Sequence, residues 1–178
     1  MPSPPANHIF FCGTTGMGKT FRADRVAKGA LGQGRHVLYF DRNKNEFAAS
    51  WRTESMDRLL DVAMRAWNCL VVIDDAQKVL TNKGEDKKWE WFVTESRHRG
   101  HQTMILAQRA TCIPPIYREN VQHLYLYRVN PDTAGVWAEE FDDDTLMKAA
   151  SLEPHYCYYK GRPRAGKIIP ATFIPKEL

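Results

Sequence analysis

Ile9-Phe-Phe-Cys-Gly-Thr-Thr-Gly-Met-Gly-Lys-Thr20 decides how the rest of the chain is read. Four apolar residues lead into eight that match the spacing G-x-x-x-x-G-K-[ST] at Gly13, Gly18, Lys19 and Thr20, with a further glycine at Gly16. Lys19 to Ala30 reads as a helix, which places the glycines between a strand and a helix. Each residue type there has a physical reason. Glycines let successive backbone N–H groups turn inward around a phosphate, a lysine neutralises phosphate oxygens, a hydroxyl offers a ligand to magnesium, and the helix N-terminus adds partial positive charge. Gly13, Thr14, Thr15, Gly16, Met17, Gly18, Lys19 and Thr20 are therefore the candidate binding residues for the phosphates of ATP, with Thr20 also a candidate ligand of Mg2+.

Outward from this stretch, strands and helices alternate. Residues 1–7, rich in proline, are expected to be mobile. Ile9–Cys12 is the first predicted strand, and His36–Phe40 the second, reached through a turn at Gly32-Gln-Gly34. Asp41 to Ser50 reads as polar loop, and Ser55 to Trp67 as a helix with Ser55 as its N-cap. Leu70–Ile73, apolar throughout, is the third strand and ends in Asp74-Asp75. A polar loop from Lys78 to Lys88 precedes a helix predicted from Trp89 to Arg99 and stopped by Gly100. Thr103–Ala107 is the fourth strand, closing on Gln108; Pro114-Pro115 breaks the chain, and His123–Tyr127 is the fifth. Short helices are predicted over Asp132–Glu140 and Asp143–Ser151, and a hairpin over Tyr156–Lys160 and Lys167–Phe173 around residues 161–166. Such alternation predicts a mostly parallel, three-layer α/β sheet.

With 178 residues the chain is near the size of one domain, and 43% hydrophobic with 26% charged residues exclude wholesale disorder or a fibrous repeat. We expect a single domain over residues 1–178. The net charge of +4 favours an anionic partner only mildly. Cys12, Cys69, Cys112 and Cys157 form no C-x-x-C pair, so neither a zinc site nor a disulfide framework is suggested, and a reducing cytoplasm fits. The longest apolar run in the middle of the chain, Cys69–Ile73, is too short for a membrane span, and the first residues lack a signal-peptide pattern.

Two adjacent carboxylates at the end of an apolar strand are costly unless a cation compensates them. Asp74 is the candidate second ligand of Mg2+, and Asp75 the candidate catalytic base that polarises an attacking water. Gln108, at the end of the neighbouring predicted strand, can hydrogen-bond the γ-phosphate or that water. Arg42-Asn-Lys44, the segment Lys78 to Lys88 with Lys83, Lys87 and Lys88, and the hairpin cations Lys160, Arg162, Arg164 and Lys167 are either solvated loops or contacts for nucleic-acid phosphates. His98 and His101 lack further ligands at metal spacing. Trp89, Trp91 and Phe92 are expected to face the core or a neighbouring subunit.

Four blocks together resemble a known group: Phe10 to Thr20, Leu70-Val-Val-Ile-Asp-Asp-Ala76, Ser96-Arg-His-Arg-Gly100 and Thr103-Met-Ile-Leu-Ala-Gln-Arg109. The chain is similar, from about residue 8 to about residue 130, to the additional-strand (RecA/ASCE-type) P-loop ATPases. Within them it resembles the FtsK–HerA group, which includes the genome-packaging ATPases of membrane-containing and other tailless phages. The resemblance implies a sheet ordered 5-1-4-3-2, counting predicted strands along the chain, and a homo-oligomeric ring, pentamer or hexamer, with ATP at subunit interfaces. It also implies double-stranded DNA, bound without sequence preference, in the central channel. By the same resemblance Arg97 or Arg99, which stand in the matching block, would be catalytic in trans on the neighbouring subunit's phosphates, with Arg109 a third candidate. The group usually has Glu where this chain has Asp75, one methylene shorter.

The function implied is an ATP-hydrolysing DNA translocase, the motor that packages a phage genome into a preformed capsid, working in the host cytoplasm with capsid or vertex proteins. An assembly ATPase of the zonula-occludens-toxin type and, from a different class, a P-loop nucleotide kinase remain alternatives. A helper that binds ATP with little hydrolysis is a third, kept open by Asp75.

Overall fold

A computed structural model of the chain describes residues 7–81, 84–162 and 167–170. The strands are β1 (His8–Cys12), β2 (Val37–Phe40), β3 (Trp51–Thr53), β4 (Leu70–Ile73), β5 (Gln102–Ala107), β6 (Val121–Leu126), β7 (Tyr156–Gly161) and β8 (Lys167–Pro170). The helices are α1 (Lys19–Gly32), α2 (Met56–Arg65), α3 (Trp91–Thr94), α4 (Pro115–Glu119) and α5 (Pro131–Phe141). The strands form one sheet in the order β3-β2-β4-β5-β1-β6-β7-β8. Pairing is parallel from β3 through β6 and antiparallel at β6–β7 and β7–β8. The five predicted strands are β1, β2, β4, β5 and β6, and their order β6-β1-β5-β4-β2 is the expected 5-1-4-3-2. The C-terminal hairpin is also present, and it extends the sheet rather than standing apart from it.

Alternation along the central strands explains the three layers. Phe10, Cys12, Val71, Ile73, Ile105 and Leu124 point to one face and pack with Leu59 and Ala63 of α2, Phe92 of α3, Tyr117 of α4 and Trp137 of α5. Ile9, Phe11, Leu70, Val72, Met104 and Tyr125 point to the other, where Ala23, Val26, Ala27 and Ala30 of α1 cover them. Both faces are dry, which is why β1 and β4 are apolar at successive positions rather than alternately.

Some expectations are corrected. The helix predicted from Trp89 to Arg99 is broken into a 3-10 segment Gly84–Glu90, the single turn of α3, and a 3-10 turn Ser96–Arg99 closed by Gly100 at φ 72°. The hydroxyls of Ser96 and Thr103 both donate to the Phe92 carbonyl at 2.6 Å, occupying the acceptor that a continuing helix would use. Pro114-Pro115 does not simply interrupt the chain, because Pro115 opens α4, where its fixed φ suits the first turn. Ser151 ends a 3-10 rather than an α-helical segment. β3 was not anticipated: at three partly exposed residues on the sheet edge it carries no apolar run. Ser55 does cap α2, its hydroxyl accepting from the Arg58 N–H at 3.3 Å. The expected mobility of residues 1–6, the cations Lys83 and Arg164, and the hairpin beyond Pro170 to Phe173 lie outside the described residues.

Candidate nucleotide site

Parallel β1, β4 and β5 lie side by side, so the residues leaving their C-terminal ends, Gly13, Asp74 and Gln108, converge on one edge of the sheet. The chain turns sharply there. The Gly13 N–H donates to the Ala107 carbonyl at 3.2 Å and the Thr14 N–H to the Arg128 carbonyl at 3.0 Å. A Cβ at Gly13 would stand 2.5 Å from the Tyr127 Cβ, so only glycine lets β1 turn this close to β6. Gly18, at φ 93°, is the N-cap of α1 and swings the chain into the helix. Lys19 Nζ donates to the Thr14 carbonyl at 2.9 Å, bridging the loop. Burial lowers its pKa, opposed by the charges of Cys12, Asp74 and Asp75, whose fields favour the ammonium.

The loop borders a cavity of about 420 Å³, with Thr15, Gly16, Gly18, Lys19 and Thr20 on one side and Asp74, Asp75 and Gln108 on the other. Asp74 is 8% exposed. Burial raises its pKa, and the nearby charges of Asp75 and Asp41 push the same way, against hydrogen bonds from the Asp75 N–H and Tyr39. The Tyr39 hydroxyl donates to Asp74 Oδ2 at 3.0 Å and the Asp75 N–H to Oδ1 at 2.8 Å. Among the described residues no Lys, Arg or His side chain makes an ion pair with Asp74.

Asp75 stands at φ 49°, the left-handed region that aspartate tolerates better than most residues. Its Oδ2 accepts from Asn43 Nδ2 at 2.6 Å and from Lys78 Nζ at 2.7 Å, and its Oδ1 has only a 3.4 Å contact from Gln77 Nε2. Burial would raise its pKa, but Lys78 and Asn43 outweigh it and hold the carboxyl below the usual range. Gln77 also accepts from the Gln108 N–H at 3.2 Å, tying the ends of β4 and β5 together.

Phe21, Asn43 and Asn45 complete the lining, and none of them was marked as a site residue in the sequence. Asn43 belongs to a segment read as a nucleic-acid contact. The signal that existed was alternation: Asn43 and Asn45, two apart, point together at the carboxylates, and Asn45 Nδ2 lies 3.4 Å from Asp74 Oδ2. Nothing local marks Tyr39 or Lys78 as partners of the two aspartates.

The cradle residues, Asp74, Asp75 and Gln108 are thus brought together, whereas Arg97 and Arg99 are not. Those two precede β5, whose six residues separate its ends by about 17 Å. Arg99 stacks over Trp67 at 4.9 Å, and its carbonyl accepts from the Asn68 N–H at 2.8 Å. Arg109 follows Gln108 on the cavity side and is exposed. Of the three aromatic residues, Phe92 is buried, while Trp89 and Trp91 pack half-buried against the core.

Residues 9–106 match the family described as ATPase family associated with various cellular activities (AAA). The chain belongs to the AAA family. It therefore carries an ATPase domain that uses a nucleotide. Among solved structures, the AAA chain is similar to the genome packaging NTPase B204 from Sulfolobus turreted icosahedral virus 2, solved with AMPPCP. The TM-score is 0.77 at 12% identity, over 93% of this chain and 97% of that one. It is also similar to the cytoplasmic domain of the type VII secretion ATPase EccC from Thermomonospora curvata, with TM-score 0.69, 12% identity, 96% of this chain and 24% of that one. The N-terminal domain of zonular occludens toxin from Neisseria meningitidis is similar with TM-score 0.50 and 17% identity, over 68% of this chain and 76% of that one. These likenesses establish the fold that the sequence resemblance implied, a RecA/ASCE-type P-loop NTPase. No curated protein sequence matches the AAA chain. Among its described residues no helix is long and apolar enough to cross a membrane.

Proposed function

We propose that the chain is an ATP-hydrolysing, sequence-independent translocase of double-stranded DNA, and that it drives a viral genome into a preformed capsid. The observation that carries the reading is Asp74, a buried carboxylate without an ion pair among the described residues, set across one cavity from Lys19 and Thr20. A buried carboxylate of this kind calls for a cation. One carboxylate, one hydroxyl and the oxygens of a bound phosphate chain make the donor set that suits Mg2+. Thr20 and Asp74 would hold that ion, whose chemistry when bound is to neutralise charge on the β- and γ-phosphate oxygens.

The chain's own residues would do the rest. Gly13 to Gly18 would present N–H groups to the phosphates, and Lys19 would exchange its Thr14 carbonyl for phosphate oxygens. Phe21, 56% exposed at the cavity wall, offers an apolar face to the sugar and base. Asp75 would accept the proton of the attacking water through Oδ1, the oxygen not held by Lys78 and Asn43, while Gln108 orients that water. The stretch 1–178 would act as one domain in a pentameric or hexameric ring in the host cytoplasm, docked to capsid or vertex proteins. Arg97 or Arg99 would complete the neighbouring subunit's site, with Arg109 the next candidate.

The fold shared with a genome packaging NTPase over 93% of the chain supports packaging above the toxin-like assembly alternative, whose likeness spans 68%. A kinase reading gains nothing from a cavity whose far wall is two carboxylates and an amide suited to water. The test is phosphate release from ATP without an acceptor. Release that rises with duplex DNA supports the proposal, whereas transfer to a nucleoside monophosphate with no release to water overturns it.

A further inference from the structure

A second cavity, of about 410 Å³, lies beyond the C-terminal ends of β2 and β3, on the edge of the sheet that also carries the nucleotide cavity. Lys44, Arg52 and Arg58 line it together with Thr53, Asp41 and Glu54. Asp41 is buried and already engaged: its Oδ1 accepts from the Asn43 N–H at 2.9 Å, and Arg52 stands 3.8 Å from its Oδ2. Lys44 and Arg58 are exposed, and among the described residues neither makes an ion pair. Three cations against two carboxylates leave the lining with one net positive charge.

The two cavities share a wall. Asn43 reaches inward to Asp75 and Asn45 inward to Asp74, while Lys44 between them, held at φ 55°, lines the outer cavity. From the outer side Arg52 clamps the same segment, donating to the Asn45 carbonyl at 2.7 Å and to the Phe47 carbonyl. A charge entering the outer cavity therefore meets Lys44, whose two neighbours touch the carboxylates of the nucleotide site, and Arg52, which fixes the backbone between them.

We propose that the outer cavity receives one backbone phosphodiester of the nucleic-acid strand, held by Lys44 and Arg58, and that residues 43–45 transmit its occupancy to Asp74 and Asp75. This rests on the translocase reading. The charge fits: a phosphodiester carries one negative charge, which the net positive charge of the lining matches, whereas a free phosphate dianion would also face Glu54 and Asp41 uncompensated. Arg58 supplies a planar fork for two phosphate oxygens and Lys44 a point charge. Neither group reads a base, as sequence-independent binding requires.

The test is binding of a fluorescent 30-base-pair duplex to the full chain over a salt series, with ATP turnover measured in parallel. Lys44→Ala/Arg58→Ala is compared with wild type and with Arg25→Ala/Lys148→Ala, which removes two exposed cations elsewhere. The proposal expects the salt slope of the first variant to flatten by about two units, one for each lost phosphate contact. Its basal turnover should persist while stimulation by duplex is lost, and the control variant should keep both. A wild-type slope together with wild-type stimulation in Lys44→Ala/Arg58→Ala overturns the proposal and leaves the translocase reading standing. Displacement of the duplex by low millimolar inorganic phosphate also overturns it, by making the cavity a free-phosphate site. If the wild-type chain neither binds duplex nor responds to it, the translocase reading itself fails.

Discussion

Asn43 Nδ2 lies 2.6 Å from Asp75 Oδ2, joining the loop after β2 to the carboxylate after β4 across the mouth of the nucleotide cavity. With Lys78 on the same oxygen, Asp75 is restrained at Oδ2 and left open at Oδ1. A side chain one methylene shorter than glutamate is thereby aimed by its neighbours.

Asp75→Asn should keep nucleotide binding and lose turnover by about 10²- to 10⁴-fold, the range that general-base catalysis contributes. The amide preserves shape and removes the proton acceptor. Binding of a fluorescent ATP analogue together with phosphate release reads both halves, and wild-type turnover in this variant would move the base elsewhere.

Phe21→Ala should weaken ATP binding by roughly 10-fold, within the range of about 1–3 kcal/mol that stacking of a base on an aromatic ring supplies. Inorganic tripolyphosphate has no base, so its competition should be unaltered. Equal weakening of both ligands would mean that Phe21 supports the cradle rather than the base.

The arginines that precede β5 are at the wrong end of the strand to serve their own P-loop, so their action requires a neighbour. Lys19→Ala chains carry both arginines, and Arg97→Ala/Arg99→Ala chains carry an intact cradle. Mixing them should restore part of the ATPase activity that each lacks alone. If co-assembly is shown and no activity returns, the arginines are structural, as the stacking of Arg99 on Trp67 would then explain, and Arg109 becomes the candidate.

His8 gives the fold an acid limit. It is fully buried, its Nδ1 accepts from the Thr103 N–H at 3.0 Å, and burial together with the charge of Arg97 lowers its pKa to about 4, despite an opposing bond to the Val93 carbonyl. The folded chain therefore binds this proton less readily than the unfolded one. The stability it supplies is complete above about pH 6.5 and is lost as pH falls from there through 4, in total on the order of 3 kcal/mol. Denaturant midpoints of wild type should fall more steeply over that window than those of His8→Gln, whose amide oxygen can still accept from Thr103. Parallel profiles would assign the acid limit to other groups.

The parallel core was legible because apolar runs such as Leu70–Ile73 are diagnostic once a P-loop precedes them, and the cradle because its glycines and lysine are contiguous. Asp74, Asp75 and Gln108 were legible as strand ends. What escaped was whatever depends on contacts between distant segments. Tyr39 looks like one more strand aromatic until its hydroxyl is found on Asp74, and Lys78 like a loop charge until it is found on Asp75. The helix expected over residues 89–99 failed for a similar reason, since the competing acceptor demand on Phe92 comes partly from Thr103, in the following strand. β3 escaped because an edge strand of three half-exposed residues is held by backbone pairing with β2, not by its own side chains.

The central claim is that hydrolysis at the Lys19 site moves the chain along double-stranded DNA. Displacement of a labelled triplex-forming strand from one end of a duplex measures this directly, with ATP and magnesium present and duplexes of unrelated sequence compared. The account predicts ATP-dependent displacement at similar rates on every sequence, abolished by Lys19→Ala in a chain that still folds. ATP hydrolysis by the wild-type chain with no displacement on any duplex would contradict it.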